Sequence, residues 1–132
     1  MEQNSKHIEL SVVIPTCNEE GNIVPMYEQL CAVMAEINIP HFEFIFVDDG
    51  STDQSLFHVQ TLRAKDSRVK FIQLSRNFGH QNALKAGLDH ASGLAVISMD
   101  ADLQHPPALI PDLVEKWKQG FEVVYTIRKD DQ

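Results

Sequence analysis

Apolar residues along the chain fall into two alternating kinds of run. Leu10–Pro15 (LSVVIP), Phe42–Val47 (FEFIFV), Val69–Leu74, Leu94–Met99 and Phe121–Ile127 are short and rich in β-branched or aromatic residues, which predicts five strands. Between them, apolar positions recur at helical spacing. Ile23, Met26, Leu30, Val33 and Ile37 form one stripe within Asn22–Asn38, with Pro25 in the first turn, where a missing N–H is harmless. Leu56, Val59 and Leu62 mark a second helix ending near Lys65, and Ala83, Leu84, Gly87, Leu88 and Ala91 a third. Pro107–Gln119 reads as a fourth, closed by Gly120 at its C′ position. Repeated strand–helix units of this kind build a doubly wound α/β fold, βαβαβαβαβ. Its sheet is mostly parallel, with helices on both faces and right-handed crossovers. In such sheets ligands bind beyond the carboxyl ends of the strands, so the residues after each strand carry the chemistry.

Composition narrows the classes. A chain of 132 residues, 43% hydrophobic and 23% charged, is sized and composed as a single globular domain, 1–132, rather than as a disordered chain. A formal net charge of −8 and a pI near 5.1 argue against a nucleic-acid partner and against a polybasic membrane anchor. No apolar run approaches the roughly 18–20 residues of a spanning helix, and the opening MEQNSKHIE lacks a signal-like apolar core. Cys17 and Cys31 form no CxxC, which reads as a reduced, cytoplasmic chain. There is no internal repeat and no linker.

The strand tips are unusually polar. After the fourth strand comes Asp100-Ala101-Asp102, two carboxylates that can turn toward one hard cation, Mg²⁺ or Mn²⁺, with the Gln104 carbonyl as a further oxygen. The plainer alternative is a solvated turn capping the helix at Pro107. After the second strand come Asp48 and Asp49, suited to a ribose hydroxyl or to stabilising the Asp-Gly turn. Ser51 or Thr52 is the better N-cap for the following helix, which leaves an Asp for ligand. After the first strand comes Thr16-Cys17-Asn18-Glu19-Glu20-Gly21-Asn22, and after the third Ser75-Arg76-Asn77-Phe78-Gly79-His80. His80 and His105 sit in tip loops, and neither has a second histidine at i+4, so a zinc site is not expected.

Common nucleotide motifs do not fit. The first tip has one glycine, so there is no dinucleotide-binding GxGxxG, and no Walker P-loop is present. A receiver domain would carry its acidic pair after the first strand, as would a hydrolase using Asp100 as a DxD nucleophile. Taken together, VVIPTCNEEGNI (12–23), FVDDGSTD (46–53), LSRNFGHQNALKAGLD (74–89) and MDADLQHPP (99–107) resemble the family 2 glycosyltransferases, which have the nucleotide-diphospho-sugar (GT-A) fold. The DADLQHPP form, after SRNFGHQNALKAGLD, is most similar to the polyprenyl-phosphate and dolichyl-phosphate sugar transferases.

The resemblance implies roles for individual residues. Pro15, Thr16 and Glu19 would line a nucleotide pocket, and Asp49, with Asp48 beside it, would meet the base or ribose. Asp100, Asp102 and Gln104 would hold Mg²⁺ or Mn²⁺ on the donor diphosphate, with Asp100 also at the nucleotide and both aspartates counted as catalytic. Arg76 and the Asn77-Phe78-Gly79 turn would border the donor, and Arg128 would face phosphate or acceptor. Cys17 stands where the family often has an aromatic residue. The implied reaction moves a sugar, with inversion, from a UDP- or GDP-sugar to a polyprenyl phosphate. The alternatives are a saccharide hydroxyl acceptor or a non-catalytic nucleotide-binding module. The family continues beyond the fifth strand. The chain is therefore expected to be the donor-binding part of a longer enzyme, with little transfer activity alone and some tendency to self-associate. Membrane contact is expected through the region that follows, at the cytoplasmic face.

Overall fold

A computed structural model describes residues 7–102, 107–120 and 125–127. The elements run β1 (Leu10–Thr16), α1 (Ile23–Ile37), β2 (Phe42–Asp48), α2 (Ser55–Lys65), β3 (Val69–Gln73), α3 (His80–His90), β4 (Ala95–Met99), a 3₁₀ turn (Pro107–Leu109), α4 (Ile110–Lys118) and β5 (Tyr125–Ile127). The strands form one sheet in the order β3-β2-β1-β4-β5, every neighbouring pair parallel. β1 and β2 pair from Leu10↔Phe42 to Thr16↔Asp48 and are buried along their whole length. That is why they read as near-continuous apolar runs rather than alternating ones.

The two faces are covered unequally. Leu10, Val12 and Ile14 of β1 face a core shared with Met26 and Leu30 of α1, Val59 and Leu62 of α2, and Ile110 and Val114 of α4. Val13, Ile45 and Val47 face the other way, toward Ala83 of α3. Gly87 allows that approach. A Cβ there would lie 2.3 Å from Val13 Cγ1 and 3.0 Å from Val47 Cγ2.

The chain runs outward from β1 through β2 to β3. α3 then carries it across the opposite face to β4, on the far side of β1. The direction of winding thus reverses between β1 and β4, where an open α/β sheet forms its ligand crevice.

Several expected boundaries shift. Met34 joins the buried stripe of α1 while Ile37 is only partly buried. Leu88, expected on the inner stripe of α3, is 45% exposed, because Gly87 is the residue that meets the sheet. Leu94, expected in the fourth strand, precedes it and is exposed. The fourth helix opens with a 3₁₀ turn and becomes α-helical only at Ile110, with Pro111 in its first turn. Gly120 adopts φ +100, as a C′ glycine does. Of the expected fifth strand, residues 121–124 lie outside the described residues.

Candidate functional site

A cleft of about 480 Å³ opens at the carboxyl ends of β1 and β4. That volume suits a small-molecule ligand. Pro15, Thr16, Cys17 and Glu19 form one wall, and Asp49 comes from the tip of β2. Asn77, Gly79, His80 and Ala83 come from the β3–α3 junction, and Asp100, Ala101 and Asp102 follow β4.

The first wall is held by a reciprocal clasp between two loops. Asn18 donates its backbone N–H to Ser51 Oγ (2.9 Å), and its Oδ1 accepts from the backbone N–H of Thr52 (2.8 Å) and Asp53 (3.3 Å). Glu19 N–H donates to Ser55 Oγ (2.7 Å) and Glu20 N–H to Asp53 Oδ2 (3.2 Å), while Gln54 N–H returns a bond to Glu20 Oε1 (2.9 Å). The expectation that Ser51 or Thr52 caps α2 is therefore corrected. The helix begins at Ser55, and Gln54 occupies the cap position without a side-chain cap bond. The Ser-Thr-Asp segment instead secures the loop after β1. Asn18 sits at φ +55, a left-handed conformation that Asn tolerates better than most residues.

The two aspartates at the tip of β2 have different settings. Asp49 lines the cleft, and its carboxylate also accepts the backbone N–H groups of Phe78 (2.8 Å) and Gly79 (3.2 Å). It thus fixes the β3–α3 turn, which also lines the cleft. Asp48 is buried, does not line the cleft, and accepts Ser51 N–H at 3.3 Å through Oδ2. Its Oδ1 is buried with no hydrogen-bond partner among the described residues. Gly50, which follows them, is obligatory. At φ +72, a Cβ would come within 2.4 Å of Asn77 N.

Arg76 and Phe78 stand outside the cleft lining. The Arg76 guanidinium lies 4.6 Å from the centre of the exposed Phe78 ring. Asn77 Nδ2 donates to Cys17 Sγ at 3.4 Å. Burial, followed by the Asp49 and Asp48 carboxylates, raises the Cys17 thiol pKa, so this position presents a neutral thiol to the cleft.

Asp100 and Asp102 both reach the cleft from the tip of β4. His80, the first residue of α3, places Nε2 2.9 Å from Asp100 Oδ1. The sequence placed His80 near the site without indicating this partner. Gln104, His105 and Arg128 lie outside the described residues. Among those described, no group of three or more His, Cys, Asp or Glu is gathered as a complete cation cage. Two carboxylates on an open cleft nevertheless match the hard-oxygen set of Mg²⁺ or Mn²⁺, which usually takes one or two protein carboxylates and completes its shell with phosphate and water.

Comparison with known proteins decides the family. The profile of glycosyl transferase family 2 matches residues 11–132. The chain belongs to that family. It is 48% identical over 124 residues to the uncharacterized glycosyltransferase YkcC of Bacillus subtilis, covering 94% of this chain and 38% of that protein. It is 38% identical over 133 residues to an undecaprenyl-phosphate 4-deoxy-4-formamido-L-arabinose transferase of Shewanella sediminis, covering 100% of this chain and 40% of the relative. The family 2 chain thus spans about two fifths of the length of the curated relatives it matches.

Among solved structures it superposes on Staphylococcus aureus TarS 1–349 in complex with UDP-GlcNAc, with a TM-score of 0.68 and 30% identity, covering 85% of this chain and 32% of that one. It also superposes on the glucosyl-3-phosphoglycerate synthase of Mycobacterium tuberculosis, a complex with Mn²⁺, UDP and glucosyl-3-phosphoglycerate. There the TM-score is 0.62 at 28% identity, covering 83% of this chain and 39% of that one. The expected α/β architecture of the GT-A glycosyltransferases is the one observed.

Proposed function

We propose that the chain is the donor-binding part of a metal-dependent, inverting glycosyltransferase that passes a sugar from a nucleotide-diphosphate sugar to a polyprenyl phosphate. The observation that carries this reading is the convergence of Asp100 and Asp102 on one cleft, at the switch point between β1 and β4, together with Thr16, Glu19 and Asp49. The donor named for TarS, the Mn²⁺ named for the synthase and the undecaprenyl phosphate in the name of the Shewanella relative support its three parts.

The residues divide the work. Pro15, Thr16 and Glu19 would flank the nucleoside, and Asp49 would meet it while keeping the Phe78–Gly79 backbone in place. Asp100 and Asp102, with Gln104, would hold the cation. Bound there, Mg²⁺ or Mn²⁺ would neutralise charge developing on the leaving diphosphate and lower the barrier to breaking the anomeric C–O bond. This is how a chain of net charge −8 can take an anionic donor. A phosphate acceptor is already anionic at neutral pH. It therefore requires positioning by cations such as Arg128 more than it requires a strong general base. The complete enzyme would work at the cytoplasmic membrane face, where a polyprenyl phosphate is anchored.

Titration calorimetry of the 132-residue chain with UDP- and GDP-sugars, with Mn²⁺ or EDTA, tests the reading. The expected result is binding to one nucleotide class that needs Mn²⁺ and disappears in Asp102→Ala. Metal-independent binding that survives Asp102→Ala would mark a non-catalytic nucleotide-binding module instead.

A further inference from the structure

His80 is the imidazole that lines the cleft among the described residues, and its backbone is held from several sides. Gly79 turns into α3 at φ +101, and Asp49 grips the N–H groups of Phe78 and Gly79. One turn further along, Ala83 packs into the core, and Gly87 seats the helix on Val13 and Val47. A side chain at the first position of α3 therefore enters the cleft from a fixed origin.

The ring itself has two unequal nitrogens. Nε2 lies 2.9 Å from Asp100 Oδ1, while Nδ1 is buried with no hydrogen-bond partner among the described residues. An ionised carboxylate only accepts hydrogen bonds, so the ring nitrogen that faces it within 2.9 Å carries a proton. The neutral ring therefore carries its proton on Nε2, pointed at the carboxylate. A ligating carboxylate is commonly oriented by such a donor, and losing the donor weakens the metal site.

We propose that His80 is a positioning residue for the donor site. It donates Nε2–H to Asp100 Oδ1 and so sets the rotation of the carboxylate that would hold the cation with Asp102. This role rests on the donor-site reading above. It gives the His of the NFGHQ segment a purpose distinct from ligation. The ring sets the orientation of an oxygen ligand and does not touch the cation.

Mn²⁺ titrations of the 132-residue chain, followed by electron paramagnetic resonance with UDP and GDP in parallel, test it. His80→Ala is expected to weaken Mn²⁺ binding roughly tenfold. His80→Gln, whose amide N–H can reach the position of Nε2, is expected to recover most of that loss. Wild-type Mn²⁺ is expected to show no hyperfine coupling to a directly bound imidazole nitrogen. If His80→Ala lowers the thermal midpoint enough to unfold the chain, His80→Gln and the wild-type spectrum decide.

Mn²⁺ affinity unchanged within twofold in His80→Ala would overturn the proposal, as would a His80→Gln variant as weak as a folded His80→Ala. Direct imidazole coupling would overturn it too, by making His80 a ligand. A wild-type chain that takes up neither nucleotide nor Mn²⁺ would remove the donor-site reading and this role with it.

Discussion

The two ends of the sheet treat carboxylates in opposite ways. At the amino end Glu43 is 1% exposed, and both its oxygens are engaged. Oε2 accepts Ser11 Oγ (2.6 Å), Ser92 N–H (2.8 Å) and Ser92 Oγ (3.0 Å), and Oε1 meets Lys70 Nζ at 2.6 Å. At the carboxyl end Asp49, Asp100 and Asp102 line an open cleft, and buried Asp48 leaves one oxygen without a partner among the described residues. The amino end closes a charge inside the protein with the donors it needs, which fixes β1, β2, β3 and the α3–β4 turn to one another. The carboxyl end presents acids to a space where a ligand can supply the opposite charge. Stability and function are therefore expected to separate along the strands.

The sharpest test of that separation is Asp102→Ala. Mn²⁺-dependent nucleotide affinity should fall at least about a hundredfold, since the cation loses one of its hard-oxygen ligands. The thermal midpoint of the ligand-free chain should change less than in Glu43→Ala, because Asp102 is only partly buried at the rim whereas Glu43 is enclosed. A large loss of ligand-free stability would break the contrast by making the cleft acids structural.

Glu43→Ala is the converse. It leaves Ser11, Ser92 and Lys70 without their common acceptor and should cost about 2–3 kcal/mol of stability. Nucleotide affinity of the folded fraction should stay at the wild-type value. The same group predicts a pH signature. Burial opposes its charge, but Lys70, Ser11 and Ser92 outweigh burial and hold its pKa below the usual carboxylate value. Its stabilisation is thus fully present above the unfolded value, about 4.3. It is lost as pH falls through the lower folded value, because the unfolded chain then binds the extra proton. Below about pH 4.5, denaturant midpoints of wild type should therefore fall more steeply with acid than those of Glu43→Gln.

Gly87→Ala tests whether the ends are independent, because α3 spans both. The new methyl would meet Val13 Cγ1 at 2.3 Å, and valine is stiff at χ1. Overpacking of about 2 kcal/mol, offset by up to about 1 kcal/mol of helix propensity, leaves a net loss of about 1 kcal/mol. If α3 lifts, His80 and Ala83 should move with it. Nucleotide affinity should then fall several-fold, although the substituted residue is remote from the cleft lining.

Much of this layout is legible in the sequence, and the unread part shares one cause. Apolar runs located the strands and helices because periodicity reports which face of an element is buried. Strand-tip reasoning pointed to Asp49, Asp100 and Asp102, and the family resemblance to Pro15, Thr16 and Glu19; all six line the cleft because a parallel sheet gathers its loops at one end. Periodicity says nothing about partners distant in sequence. Glu43 reads as a polar interruption of FEFIFV, yet its partners Ser11, Lys70 and Ser92 come from three separate segments. His80 meets Asp100, and Asp49 holds the turn after β3, only because β2, β3 and β4 end together. Ser51 reads as a helix cap because local rules favour it there, and tertiary pairing with Asn18 overrides them.

That pairing supplies the mildest test. Asn18 holds the loop after β1 with both its left-handed backbone and its Oδ1, and the two contributions can be separated. Asn18→Gly keeps the backbone conformation and loses the acceptor for Thr52 and Asp53. Asn18→Ala also loses the acceptor but keeps a Cβ at φ +55, without the polar side chain that lets Asn tolerate that region. Both variants should lose a few-fold in nucleotide affinity, because Cys17 and Glu19 flank the clasp and line the cleft. Asn18→Ala should be the less stable by about 1 kcal/mol, the cost of a left-handed L-residue. Equal stabilities would mean that the loop relaxes out of the left-handed region. The clasp would then rest on side-chain hydrogen bonds alone, and the carboxyl end would be softer than the closed network around Glu43.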